Sequence, residues 1–132
     1  MSKRSAIITK TDSGYAGIYC HSDGYIDGVG KTLLNHYLDA EKVNSLIALG
    51  DISYLSERVT PIGKHDWNNP EDGTTMAYMR DRGETGCKFK TGETVQDVEK
   101  KIDHNGYVYV FEDGNWTVNG DDLFEAYERE QN

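Results

Sequence analysis

Cysteine is scarce in this chain: Cys20 and Cys87 are the only two in 132 residues. Two thiols are too few for a disulfide framework, and the default reading is a cytoplasmic protein with reduced cysteines. Long apolar runs are missing too. None approaches the roughly 18 residues that a membrane span needs, so no membrane association is expected. The start, Met1-Ser-Lys-Arg-Ser5, is basic, but Ala6-Ile7-Ile8 is too short for the apolar core of a signal peptide. Proline occurs only at Pro61 and Pro70. Positive charge is in short supply: 14 Lys+Arg face 23 Asp+Glu, a net of -9. Neutralising nucleic-acid phosphates needs a surplus of Lys and Arg on some face, so direct nucleic-acid binding is not expected.

What is present is aromatic and acidic. Hydrophobic residues make up 36% and mean hydropathy is -0.72, yet nine tyrosines, two tryptophans and three phenylalanines argue against disorder. A chain of this length buries roughly two thirds of its unfolded surface, enough for one core, so residues 1–132 read as a single domain. Charge is unevenly placed. Residues 1–66 hold seven basic and eight acidic side chains, a net of -1, and residues 67–132 hold seven and fifteen, a net of -8. From Glu112 to Asn132, seven acids face Arg129 alone, a net of -6. That acidic C-terminal helix or tail is either a solubilising surface or a docking face for a basic partner, nucleic-acid mimicry being one form of the latter.

The elements follow from periodicity and punctuation. Ser5–Thr9 and Tyr15–Cys20 read as a hairpin closed by Thr11-Asp-Ser-Gly14, with His21–Tyr25 a loop. Asp27 is expected to cap a helix from Gly28 to Leu38, and Asp39 a second from Ala40 to Leu49, stopped by Gly50. Residues 56–73 form a long polar loop holding both prolines, with a short strand near Val59. Thr74–Met79 and Cys87–Lys90 read as strands, and Thr94–Ile102 as a helix with Val95, Val98 and Ile102 in register. Tyr107–Phe111 and Trp116–Val118 make the clearest hairpin, around Asp113-Gly114. A last helix spans Asp122 to Glu130, with Leu123, Phe124 and Tyr127 as its apolar edge. The expected fold class is α+β: an antiparallel sheet with three to four short helices packed on one side.

Few residues invite chemistry. Gly28-Val-Gly-Lys-Thr32 approximates a phosphate loop, but Tyr25 stands where the motif needs its first glycine. A first helical turn with free N–H groups beside Lys31 remains a candidate anion site. Cys20, His21, Asp23 and His36 match no zinc-finger spacing, and neither metal nor cofactor is expected. Cys20 and His21 are adjacent on a strand and point to opposite faces, so they form no nucleophile–base pair. His36 is expected either to be exposed or to bond the loop bearing His21 and Asp23; His65 and His104 are expected in solvent. Arg80-Asp81-Arg82-Gly83-Glu84 is either a salt-bridged turn or, with both guanidinium groups on one face of a strand, a fork for an anion. The candidate ligand-binding residues are therefore His21, Asp23, Tyr25, Lys31, His36, Arg80, Arg82 and Glu84.

Several segments resemble a family of small bacteriophage and prophage proteins of no assigned activity. They are Ile18-Tyr-Cys-His-Ser-Asp-Gly-Tyr25, Leu33-Leu-Asn-His-Tyr37, Leu46-Ile-Ala-Leu-Gly-Asp-Ile-Ser53, Asn69-Pro-Glu-Asp-Gly73, Ala77-Tyr-Met-Arg-Asp-Arg-Gly-Glu84 and Tyr107-Val-Tyr-Val-Phe111. The likeness runs from about Gly17 to Trp116; where those proteins often have Trp, this chain has Ser22. The resemblance implies a phage-type origin and no particular reaction.

The expected function is a non-catalytic accessory protein that binds a host protein and modulates host metabolism or defence. The alternative is a protein that sequesters a small anionic ligand, a nucleotide or a signal. A hydrolase using His21 or His36 with Asp23 ranks third, because no set of nucleophile, base and orienting group stands out. Strand edges and surface tyrosines would support a homodimer.

Overall fold

The computed structural model describes residues 3–131. Its organising feature is β1 (Ser5–Thr11), whose first five residues are all buried. A strand with no polar face belongs in the middle of a sheet covered on both sides. β1 pairs antiparallel with β2 (Gly14–Cys20), from Ser5↔Cys20 to Thr11↔Gly14, as the hairpin reading expects. On its other side it pairs parallel with β6 (Tyr107–Glu112), from Ser5↔Tyr107 to Thr9↔Phe111.

The eight-stranded sheet runs β4-β3-β2-β1-β6-β7-β8, with β5 also paired to β2. β3 (Ile52–Tyr54) meets the end of β2 at Cys20, whereas β5 (Lys90–Gly92) pairs with Tyr15–Gly17. β4 (Met76–Ala77), β7 (Asn115–Val118) and β8 (Asp121–Asp122) complete it. The class is α+β, and most pairings are antiparallel, but the central β1–β6 pair is parallel. The β6–β7 hairpin closes on Asp113-Gly114, with φ values of 55° and 79°, the two positive values of the tight turn whose twist suits a hairpin.

The helices do not all lie on one side. The larger core joins Ile7, Ile18, Tyr109 and Phe111 of the sheet to α1 (Lys31–His36), α2 (Ala40–Ala48) and α5 (Leu123–Gln131), through Leu33, Val43, Leu46 and Leu123. On the opposite face Ala6, Ile8 and Val108 meet Val98 and Ile102, carried by α4 (Val95–Glu99) and the turn after it. Both faces of β1 are buried, so both need a cover. α2 is capped by Asp39, as expected, and α4 by a reciprocal pair between Thr94 and Asp97.

Other expectations are corrected. Asp27 is not a cap: a wide π-helical turn, Ile26–Gly30, runs straight into α1, which ends at His36 rather than Leu38. Thr74–Met79 is a strand only at Met76–Ala77. The chain then turns into α3 (Tyr78–Arg82), because Asp81 reaches back to accept the Ala77 N–H at 2.8 Å and Gly83, at φ 74°, ends the turn. The strand expected at Cys87–Lys90 lies at Lys90–Gly92. Residues 56–73 hold no strand of their own, though Arg58 bridges Thr74.

Gly17 marks how tightly the smaller core is closed. A Cβ there would stand 2.7 Å from Ile8 Cγ1 and 2.9 Å from Val98 Cγ1. Gly17→Ala is expected to destabilise the fold by about 1–3 kcal/mol, the usual range for overpacking, read as a lower urea midpoint at unchanged slope. A midpoint equal to the parent's would show that α4 is free to shift.

Candidate functional site

The eight candidate residues fall into separate local pairs. Tyr19 Oη and His21 Nδ1 lie 2.6 Å apart, and Tyr25 donates to Asp23 Oδ1 at 3.0 Å. His36 does not bond that loop; its Nε2 faces Glu57 at 3.9 Å. The N–H groups expected to be free near Lys31 are occupied: Gly28 N–H donates to Tyr25 O and Val29 N–H to Asp23 O. The small cavity beside them, about 160 Å³, sets Asp23 and Asp27 next to Lys31, a poor surrounding for an anion.

Arg80 and Arg82 sit on a helix, so they do not share a strand face. Arg80 donates to Val59 O at 2.6 Å and Thr75 O at 2.7 Å, and its Nε to Asp81 at 2.9 Å. Arg82 lies over the Trp67 ring, 4.8 Å from its centroid, and pairs with Glu84 at 3.3 Å. Both guanidinium groups serve internal partners.

The histidines expected in solvent are covered. His65 has a fully buried side chain; its Nδ1 accepts the Glu71 N–H at 2.9 Å, which leaves its proton on Nε2. That nitrogen stands 3.2 Å from Asp81 Oδ2, off the line of a good hydrogen bond. Burial pushes the Asp81 carboxyl up, but Arg80, the Ala77 N–H and His65 outweigh it and hold it below its ordinary range. His104 is largely covered and faces Glu99 at 3.4 Å. Glu71 accepts from Thr74 Oγ1, Ile62 N–H and Gly63 N–H, at 2.6, 2.9 and 2.7 Å, and these bonds hold its carboxyl down at about 2. This network pins the 56–73 segment and offers no free nucleophile. Cys20 is enclosed as well, its thiol pushed up to about 12 by burial, with His21 on the opposite side. Among the described residues no group of three His, Cys, Asp or Glu is placed to hold a metal, and no helix is long and apolar enough to cross a membrane.

The cavity best suited to a partner lies elsewhere, in the seam between α1 and α5. It encloses about 350 Å³. α1 and its exit contribute Lys31, Leu34, Asn35 and Leu38; the β6–β7 hairpin contributes Gly114, Asn115 and Trp116; β8 and α5 contribute Asp122, Phe124 and Tyr127. Trp116 is positioned by its indole N–H, which donates to Tyr37 O at 2.8 Å and leaves the ring in the apolar wall. Leu38 and Phe124 are 58% and 55% exposed, although covering a side chain of this kind is worth about 1.5–3 kcal/mol. Apolar side chains lining a concavity with a few polar groups are the usual make-up of a binding site.

Of this groove, only Lys31 is among the sequence candidates. The signal for the rest is adjacency. Tyr37-Leu38, just past the end of α1, and Leu123-Phe124, at the start of α5, are adjacent apolar pairs, and adjacent side chains do not face the same way. Tyr37 and Leu123 are buried, which turns Leu38 and Phe124 outward.

No family model, curated protein or solved structure matches the chain.

The Glu71 clamp generates a pH prediction. Its folded value, about 2, lies below the ordinary 4.5, so its stabilisation is complete above pH 4.5 and is lost as pH falls from 4.5 towards 2. Protection against hydrogen exchange at Ile62 and Gly63, taken relative to the intrinsic rate at each pH, is expected to fall across that window more than at Ile7 or Ile8. In Glu71→Gln the two amides should be poorly protected already at neutral pH, with the acid step gone.

Proposed function

We propose that this chain works by non-catalytic binding of another protein, through the groove between α1 and α5. In the phage setting that the sequence resemblance implies, the partner is a host protein whose metabolic or defensive role is altered by capture. The observation that carries the reading is the pair Leu38 and Phe124, both largely exposed and both lining one cavity walled by Trp116. The partner segment supplies an apolar side chain for that cavity. Asp122 lines the groove, and the same C-terminal stretch from Glu112 holds seven acids against Arg129 alone, which selects Lys or Arg beside the apolar anchor.

Two further features support binding rather than turnover. The buried titratable groups, His65 with Asp81 and Cys20, are committed to internal contacts. His21 faces the Tyr19 hydroxyl and His36 the Glu57 carboxylate, and among the described residues neither pair has a hydrogen-bonded orienting group on the histidine's other nitrogen. The alternative, capture of an anion by Arg80 and Arg82, loses its arginines to Asp81 and Glu84.

Panning a random peptide library on the purified protein should enrich apolar anchors flanked by Lys or Arg. Leu38→Asp and Phe124→Asp, at exposed positions, should leave the melting temperature within a few degrees and weaken the selected peptides about tenfold or more each. Higher salt should weaken them further. Enrichment of acidic peptides, or equal retention by the variants, would overturn the proposal; concentration-dependent self-association abolished by the same substitutions would replace it with a homodimer.

A further inference from the structure

Six cations of the described residues are neutralised or stacked within the molecule. Arg4 pairs with Asp103, Arg58 with Glu57 and Glu71, Arg80 with Asp81 and Arg82 with Glu84. Lys10 and Lys42 lie over tyrosine rings. Lys90 and Lys101 differ. Lys90 Nζ donates to Lys88 O at 2.9 Å and Lys101 Nζ to Thr91 O at 2.7 Å, and among the described residues neither is paired with a carboxylate. Each ammonium is held in place by a carbonyl, keeps its charge, and has further N–H donors to offer.

Both line the same cleft, about 270 Å³, with Tyr19, Asp51, Ile102 and Asp103. Its four walls come from different elements: β2, the turn before β3, β5, and the turn after α4. Asp51 is fixed twice, its N–H donating to Cys87 O at 2.8 Å and its Oδ1 accepting the Tyr19 N–H at 2.9 Å, so Oδ2 remains for a ligand. Tyr19 is steadied by His21 Nδ1 at 2.6 Å. Asp103 is satisfied by Arg4 at 3.1 Å. Setting that neutral pair aside, the cleft presents two ammonium groups, each bonded to a backbone carbonyl, and one carboxylate.

We propose that this cleft binds a small amino dicarboxylate, a molecule of acidic amino-acid size with two carboxylates and one ammonium group. Lys90 and Lys101 each take a carboxylate, and Asp51 takes the ammonium. A polyphosphate or nucleotide fits less well, because the half-buried Asp51 would face its added negative charge. A neutral amino acid leaves one lysine without a counter-charge, and a plain dicarboxylate leaves Asp51 without one. Burial already holds the Asp51 carboxyl above its ordinary range, against the pull of the Tyr19 N–H and Lys90, so a desolvated ammonium beside it would be favourable. The site lies on the sheet face opposite the α1–α5 groove and does not depend on the reading of that groove.

The test is an amide-resolved NMR titration of the full chain with glutamate, aspartate, succinate, alanine and inorganic phosphate. Saturable shifts centred on Tyr19, Asp51, Lys90 and Lys101 are expected for glutamate or aspartate, with succinate and alanine weaker. Lys90→Ala and Lys101→Ala should each weaken the amino dicarboxylate by about 10- to 100-fold, the range for a lost charge-assisted hydrogen bond. Asp51→Asn keeps an acceptor for the Tyr19 N–H but removes the charge; it should weaken glutamate or aspartate while succinate binds as well as before or better. A merely structural Asp51 would weaken both ligands together, which overturns the proposal. So would phosphate binding as tightly as the amino dicarboxylate, or no saturable shift from any of the five. Leu38→Asp serves as control and should leave this binding unchanged, so failure here and failure at the groove are read separately.

Discussion

The structure depends on one strand being buried on both faces. Ala6 and Ile8 point to one side of the sheet, Ile7 to the other, and all three are fully buried. At about 25 cal/mol per Å² of apolar surface, leaving either face of such a strand in water is strongly unfavourable, so helices must be found for both. They are found unequally. One face receives α1, α2 and α5, whereas the other receives only the five residues of α4 and the turn that follows. Both candidate sites lie at the limits of this cover: the groove at the seam where α1 and α5 meet, the polar cleft where the cover by α4 ends at Lys101 and Ile102.

Buried aromatic rings hold the larger face together by their polar tips. Tyr37 donates to Ser56 O at 2.7 Å, Trp116 to Tyr37 O at 2.8 Å, and Tyr109 to Gly24 O at 2.6 Å. Each ring adds apolar area to the core and uses its one donor to tie a distant segment to it. The Tyr109 bond helps explain why the loop from His21 to Tyr25 is no open anion cradle: Gly24 is anchored through its carbonyl, and its N–H donates to Lys3 O at 2.8 Å. The Tyr37 bond anchors the start of the 56–73 segment, and Glu71, His65 and Asp81 secure the rest. A long polar stretch is thereby an ordered part of the fold, and its histidine is a structural acceptor.

The amino-acid pattern showed the two hairpins, the Asp39 cap and the α+β class, because each rests on local rules. Alternation in Tyr107–Phe111, the Asp113-Gly114 turn and the helical spacing of Val43, Leu46 and Ile47 need no tertiary partner to be read. The misreadings share a cause. Thr74–Met79 has strand-prone residues, but Asp81 caps the Ala77 N–H and redirects the chain after two of them. His65 looks solvated among polar neighbours, and only the fold brings Glu71 N–H and Asp81 against it. Arg80 and Arg82 stand out in an acidic chain, but charge counting cannot reveal that Val59 O and Thr75 O wait for the first and the Trp67 ring for the second. The groove was half legible, since apolar neighbours at helix ends announce an outward residue, but which outward residues share a cavity depends on how α1 and α5 meet.

The same charge pairing bears on what kind of work the molecule does. Catalysis by acid–base or nucleophilic groups needs at least one that is reachable, properly poised and aimed at a reacting atom. Here Cys20, His65 and Asp81 are enclosed and engaged, while His21 faces the Tyr19 hydroxyl and His36 the Glu57 carboxylate. The two candidate sites are of another sort: exposed apolar area at Leu38 and Phe124 on one face, and the ammonium groups of Lys90 and Lys101 on the other. The two lie on opposite sides of β1, so the strand that required two covers also separates the two candidate sites.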